Sequence, residues 1–374
     1  MNKTGIKTLG KLFLVALLVY FFLISIQMIS VAFKGFGKGF AEALLNTTSN
    51  PFISLFVGIL ATSLIQSSST TTSIVVGMVS SGVISIPHAV PIIMGANIGT
   101  TVTNSIVSLG HITHREEFKR ALAGATIHDF FNIMNVAILF TLNYFTGFLE
   151  KLSLFLAEEF THIGGIKFTS PLKAITKPVV HMIKDFLLHT LNLHPKLTYI
   201  LILILAAILT FASLFFIVRL MKSVFLSRTE AIFDKLLGSN AVLAIAGGAL
   251  ITAVVQSSSI TTSLLVPMVG AGLLSLEMAF PITMGANIGT TITAILASFA
   301  TGNVSAIAIA FCHFLFNFIG VFIFYPIKVL RQLPLAAARW LANLAYKNRL
   351  YAIIFVVTQF FILPIALIFL SRLF

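Results

Sequence analysis

Charge is what this chain has least of. Asp, Glu, Lys and Arg make up 9% of its 374 residues, where soluble domains carry about 25%. Acidic residues are scarcer still, 11 against 24 basic ones. Apolar residues fill 58% of the sequence, and the mean hydropathy is +1.04. Those figures exclude a water-soluble domain and imply an all-α polytopic membrane protein. Cysteine occurs once, at Cys312, which excludes an intrachain disulfide and a Cys-based metal centre. The net charge of +13 lies between apolar segments with no basic stripe interleaved with aromatics, so it sets topology and implies no nucleic-acid partner. Lys3, Lys7 and Lys11 precede an apolar run too long for a signal-peptide core, read as an uncleaved first span over 12–33.

What the sequence does have is an internal duplication. Gln66-Ser67-Ser68-Ser69-Thr70-Thr71-Thr72-Ser73 recurs as Gln256-Ser257-Ser258-Ser259-Ile260-Thr261-Thr262-Ser263. Gly95-Ala96-Asn97-Ile98-Gly99-Thr100-Thr101 recurs as Gly285-Ala286-Asn287-Ile288-Gly289-Thr290-Thr291, with the same offset of 190. Roughly two-thirds of positions 66–103 are repeated, so the chain is read as two repeats. Each polar octet interrupts an apolar stretch, 51–86 and 241–274, whose halves are too short to cross about 30 Å of hydrocarbon. Each is predicted to be a re-entrant helical hairpin. Each glycine island is predicted to break a span, 88–109 and 278–299, in its middle. Further spans are 121–146, 198–220, 304–326 and 350–371, and 147–197 is a long mixed connection. The layout is an N-terminal span and connection (1–50), transport repeat 1 (51–146), outer loop, scaffold span and linker (147–240), transport repeat 2 (241–327), and a basic interfacial stretch with a last span (328–374).

Seven crossings make the repeats inverted. With a cytoplasmic N-terminus, the basic loops 110–120, 219–240 and 328–349 all lie inside, as the positive-inside rule requires, and the C-terminus lies in the periplasm. Lys34, Lys38 and the lysines of 147–197 fall outside and run against that rule.

Inverted repeats with broken helices at mid-membrane point to a secondary transporter site. The polar islands offer hydroxyl, amide and main-chain oxygens, which suit a hard cation such as Na+. A half-helix starting at the serines also presents amide N–H groups and a positive dipole end, which suit an anion. Neither island holds Lys or Arg, so co-bound cations must supply compensating charge. The candidate cation ligands are Thr71, Thr72, Asn97, Thr100, Asp129, Asn132, Thr261, Thr262, Asn287 and Thr290. Asp129 is the carboxylate inside a span, a functional-site hypothesis by default, with cation binding, a structural hydrogen bond or a proton relay as its roles. His128 and His313 read as structural hydrogen-bonders, and no site for a transition metal or cofactor is expected. Serine and threonine alone would read as packing glue and the glycines as close helix contacts. An intramembrane serine hydrolase explains neither the duplication nor the paired glutamines, so no enzymatic activity is expected.

The two Gln-Ser-Ser-Ser runs, each followed by Gly-Ala-Asn-Ile-Gly-Thr-Thr, resemble the type II sodium-dependent phosphate cotransporters, the solute carrier 34 type. The resemblance extends to Phe118–Asp129 and Tyr325-Pro326-Ile327 and covers nearly the whole chain, which looks like a compact bacterial member in an inner membrane. Vertebrate members add a long N-terminal tail, a disulfide-bearing outer loop and a final span. The resemblance implies Na+-coupled symport of inorganic phosphate. It implies that phosphate binds at Gln66, Ser67, Ser68, Ser69, Gln256, Ser257, Ser258 and Ser259. An aspartate at the position of Asp129 implies net charge movement. Apart from the resemblance, the oxygen-rich tips suit another small oxyanion or carboxylate equally, and a passive anion channel is the alternative from another class. Three positions depart from the vertebrate pattern: His111 and His114 stand where Gln and Asp are implicated in a sodium site, and Ala286 stands for Ser. Two histidines there imply transport that responds to pH near neutrality, and a sodium site drawing on Asn132, Thr290 and main-chain oxygens. A homodimer of independently transporting protomers is the expected assembly.

Overall fold

A computed structural model describes residues 3–36, 50–162, 171–236 and 240–371. Lys38, assigned above to an outer connection, lies outside the described residues. The described chain is helical throughout, without strands. Helix α1 is Lys3–Gly35. Helices α2 (Pro51–Ile65) and α3 (Ser68–Ser81) follow, then α4 (Ile86–Gly99), α5 (Val102–Leu109) and α6 (Arg115–Thr146). Helices α7 (Phe148–His162), α8 (Pro171–Asp185) and α9 (Pro195–Leu236) lead to the second repeat. That repeat holds α10 (Ala241–Val255), α11 (Ser258–Gly270), α12 (Leu276–Thr301) and α13 (Val304–Phe324). Helices α14 (Lys328–Lys347), α15 (Leu350–Val357) and α16 (Leu363–Leu370) end the chain, with a π-helical turn joining the last two. Among the described residues, seven helical segments are long and apolar enough to cross a membrane.

The duplication is written in the helix caps. Asn50, Ser67 and Ser85 are the N-caps of α2, α3 and α4, and Asn240, Ser257 and Ser275, each 190 residues on, cap α10, α11 and α12. Five of the six side-chain oxygens accept from amides that a helix start leaves unpaired; Ser85 is the exception and pairs with His88. The packing repeats too. Helix α2 lies along α4 as α10 lies along α12, and each hairpin's second helix, α3 or α11, packs against the opposite repeat. Helix α1 packs along α9, and Thr210 donates to Ser25 across that contact at 2.7 Å.

Three expectations need correction. The span 278–299 is not broken: α12 is continuous through Gly285–Thr291. The break in 88–109 is confined to Thr100 and Thr101, because Gly95–Gly99 is helical. The cause is the close-packing role of the glycines. A Cβ on Gly95 would lie 2.1 Å from the Leu55 carbonyl oxygen, and one on Gly285 would lie 2.0 Å from that of Ile245. Glycine spaced four apart on a helix makes a flat face for a neighbouring backbone, and it serves that purpose here without unwinding the helix. Third, the connection 147–197 is largely helical, in α7 and α8.

Candidate functional site

Each hairpin turns at a glutamine. Gln66 ends α2 with φ 57° and Gln256 ends α10 with φ 62°, both left-handed and neither glycine. Such a conformation costs an L-residue roughly 1–3 kcal/mol and tends to persist at functional sites. The following serine is extended and caps the next helix: Ser67 Oγ accepts from the Thr70 amide at 3.2 Å, and Ser257 Oγ from that of Ile260 at 3.3 Å. A hydroxyl clasp joins the two legs just behind each tip. Thr62 donates to Thr71 at 2.9 Å, and Thr252 donates to Thr261 at 2.8 Å.

The two tips share one cavity of about 240 Å3, lined by Gln66–Thr70 and Gln256–Ser259 together with Ile65, Thr100, Phe211, Leu214 and Phe215. All eight residues assigned from the resemblance to an anion are therefore brought together. Both α3 and α11 start at this cavity, so first-turn amides and hydroxyls border it from two sides. Among the described residues, no charged side chain lines it. Gln256 is held in place, accepting from Thr293 at 2.9 Å and donating to the Ala253 carbonyl at 2.8 Å.

The candidate cation ligands divide into three groups. The first forms a hydrogen-bonded chain across both repeats. Thr262 and Ser263 on α11 donate to Asn104 Oδ1 at 2.9 and 3.2 Å. Asn104 donates to His128 Nδ1 at 3.3 Å, and His128 Nε2–H donates to Asn287 Oδ1 at 2.6 Å. Asn287 donates to Asn132 Oδ1 at 2.7 Å, and Asn132 donates to the Asn97 carbonyl at 2.6 Å. His313 and Asn317 donate to Asn97 Oδ1 at 3.4 and 3.2 Å. Each donor in this series fixes the next acceptor, so His128 carries its proton on Nε2. The asparagine of each glycine island thus meets the histidine of the opposite repeat, as the hydrogen-bonding reading of the two histidines predicts.

The second group has oxygens to spare. Thr72 Oγ1, Thr100 Oγ1 and Asp129 Oδ1 are buried without a hydrogen-bond partner. Asp129 Oδ2 accepts from Ser105 at 3.2 Å. Asp129 does not pair with His128, since neighbours on a helix point about 100° apart and His128 faces Asn287.

The third group is already occupied in local structure. Thr71 and Thr261 form the clasps, and Thr290 Oγ1 donates to the Ala286 carbonyl of its own helix at 3.0 Å. The expected main-chain oxygens around Ala286 are likewise helical rather than freed. His111 is drawn to Glu117, with Nδ1 2.6 Å from the carboxylate, and His114 is 4.0 Å from the same group.

Sequence reasoning missed Thr62, Thr252, Asn104, Ser105 and the aromatic wall from α9. The signal for Thr62 and Thr252 was present, since they too stand 190 apart. Asn104 and Ser105 have no polar counterpart at Ala294 and Ile295, so the duplication was silent about them.

Sequence comparison identifies the chain's relatives. The Na+/Pi-cotransporter family model matches residues 21–168 and 199–329. Sodium-dependent phosphate transport protein 2B of Homo sapiens is 34% identical, over 97% of this chain and 65% of its own length. Protein 2A of Ovis aries is also 34% identical, over 97% of this chain and 68% of its own. The chain therefore spans about two thirds of the length of these relatives. No solved structure matches it. Two capped polar tips on one cavity, repeated at a fixed offset, occur in a chain that the family model covers from both repeats: the protein belongs to the Na+/Pi-cotransporter family.

Proposed function

We propose that the protein is a secondary active symporter that couples inward movement of Na+ to uptake of inorganic phosphate by alternating access, with net charge movement. The observation that carries this reading is the single cavity on which both Gln-Ser-Ser-Ser tips converge. A tetrahedral oxyanion there takes hydrogen bonds from serine hydroxyls and first-turn amides of two helices, whose dipoles both favour negative charge. With no Lys or Arg lining the cavity, bound Na+ balances the anion. Each ion then stabilises the other's site, which is the physical basis of coupling. The relatives are named as sodium-dependent phosphate transport proteins, which favours phosphate over sulfate or a carboxylate.

Support for the cation ligands is uneven. Asp129, Thr72 and Thr100 have free buried oxygens and are the best supported. Asn97, Asn132, Asn287 and Thr262 would coordinate by exchanging an existing hydrogen bond for a Na+ contact, as would Thr71, Thr261 and Thr290. One span precedes the first hairpin and four precede the second. That odd difference supports hairpins that enter from opposite membrane faces, the inverted arrangement expected of an alternating-access transporter. We place the protein in a bacterial plasma membrane with a cytoplasmic N-terminus and a periplasmic C-terminus.

Labelled phosphate uptake into proteoliposomes tests the proposal. Uptake should require an inward Na+ gradient and be competed by arsenate but by neither sulfate nor succinate. Ser68→Ala and Ser258→Ala should each raise the phosphate KM about tenfold, the loss of one hydrogen bond to a charged group. Asp129→Gly should remove the response to an imposed potential, which for each charge moved amounts to about 2.3 kcal/mol per 100 mV. Equal uptake in choline medium would refute the coupling.

A further inference from the structure

A second cavity, of about 480 Å3, lies away from the hairpin tips. Three elements enclose it: α6 with Lys119, Arg120 and Ala123, the return turn of the second hairpin with Gly272, Leu274, Ser275 and Leu276, and α14 with Arg339, Ala342 and Asn343. Its floor is apolar and its rim is cationic. Arg120 Nε donates to the Gly270 carbonyl at 2.7 Å, which caps the end of α11 and leaves the rest of its guanidinium free to donate. Lys119 sits over the Tyr346 ring, 5.3 Å from its centre. Arg339 is bonded to Glu277, so one of the three charges is compensated locally. Glu117, on α6, is turned to His111. Among the described residues, no carboxylate lines the cavity itself.

The surroundings are those of a membrane surface. Helix α14 buries Pro334, Leu335, Ala338, Leu341, Ala342 and Ala345 against the protein. Its outer side exposes Val329, Leu333 and Trp340 among basic residues. Trp340 is the single tryptophan of the chain and is 60% exposed. Tryptophan is enriched where hydrocarbon meets headgroup, and basic pockets between spanning helices take anionic headgroups.

We infer that this cavity is a binding site for an anionic phospholipid of the phosphatidylglycerol type, with the phosphodiester held by Lys119, Arg120 and Arg339 and the glycerol and first acyl carbons on the Ala123–Val269–Leu276 floor. A lipid there joins α6, α14 and the return turn of the second hairpin. An apolar floor under a cationic rim distinguishes a lipid from a free anion, which has no use for the floor.

The full-length protein, purified in detergent and reconstituted in phosphatidylcholine nanodiscs, provides the test. Native mass spectrometry with added short-chain phosphatidylglycerol should show one tightly retained lipid, preferred over phosphatidylcholine by about tenfold. Lys119→Gln/Arg339→Gln should lose that preference, while Lys328→Gln/Lys347→Gln, which removes equal charge from the ends of α14, should keep it. Wild-type protein supplies an independent readout through Trp340. Its fluorescence should be quenched more by brominated phosphatidylglycerol than by brominated phosphatidylcholine at equal membrane fraction. Equal quenching by the two lipids, equal loss in both double variants, or displacement of the lipid by inorganic phosphate at matched concentration would each overturn the inference. All three readouts measure lipid retention, so their failure leaves the proposal of Na+-coupled uptake untouched.

Discussion

The bond between His128 and Asn287 should couple the two repeats more strongly than its counterpart between His313 and Asn97. At 2.6 Å the first is short, and both residues are 1–2% exposed. The second is 3.4 Å, at the edge of hydrogen-bonding distance. Truncating Asn287 to alanine strands the His128 N–H and the Asn132 carbonyl oxygen. Two stranded buried groups cost about 2–6 kcal/mol on soluble-protein values. Interhelical hydrogen bonds in membranes average about 0.6 kcal/mol and reach about 1.7, so a loss of about 1–3 kcal/mol is the better expectation here. The coupling energy isolates the bond itself. For His128→Ala with Asn287→Ala it should be about 1–1.5 kcal/mol, near the top of the membrane range. For His313→Ala with Asn97→Ala it should stay below about 0.5 kcal/mol. The assay is unfolding by increasing SDS fraction in mixed micelles, followed by circular dichroism for each of the four proteins in each cycle. Additive behaviour in the first cycle, or a larger coupling in the second, would refute the assignment of a directed chain of bonds through His128.

Two further outcomes follow from particular contacts. Gly285→Ala should destabilise the protein by about 3 kcal/mol or more, since its Cβ would lie 2.0 Å from a backbone carbonyl that cannot swing away; Gly10→Ala, inside α1 with no atom within 4 Å, should instead stabilise slightly, by up to about 1 kcal/mol, in the same thermal melt. His111 Nδ1 lies 2.6 Å from the Glu117 carboxylate, so His111→Gln/His114→Asp should change the pH profile of uptake in a series of initial rates.

Much of this fold was legible because the chain states it twice. A single Ser-Ser-Thr in an apolar helix is ambiguous, but matched octets and matched islands at one offset point to both hairpins; the caps Asn50 and Asn240, at the same offset, emerge only in the structure. Gly95 and Gly285 were misread in one respect. Glycine weakens a helix in isolation, which suggests unwinding, yet a helix packed tightly on α2 or α10 needs glycine to stay close. Sequence alone does not separate those two uses, because the deciding fact is the position of Leu55 or Ile245 across the interface. Asn104 and Ser105 were missed for a different reason. They serve one repeat only, on the short helix after the break at Thr100 and Thr101, where α12 runs on without interruption.

The island Gly-Ala-Asn-Ile-Gly does two jobs at once. Its glycines, four apart, face the hairpin of their own repeat: Gly95 and Gly99 approach α2, and Gly285 and Gly289 approach α10. Its asparagine, two residues from each glycine and so turned about 200° from them, faces the opposite repeat: Asn97 meets His313, and Asn287 meets His128. A movement of either hairpin is thus felt by a helix whose other face is bonded across the pseudo-symmetric boundary. Asp129, one residue from His128, and Thr100, one residue from Gly99, lie beside that boundary with oxygens unpaired. A cation collecting those oxygens would pull on α6 and on the break between α4 and α5, at the edge of the cavity that Thr100 shares with the two hairpin tips.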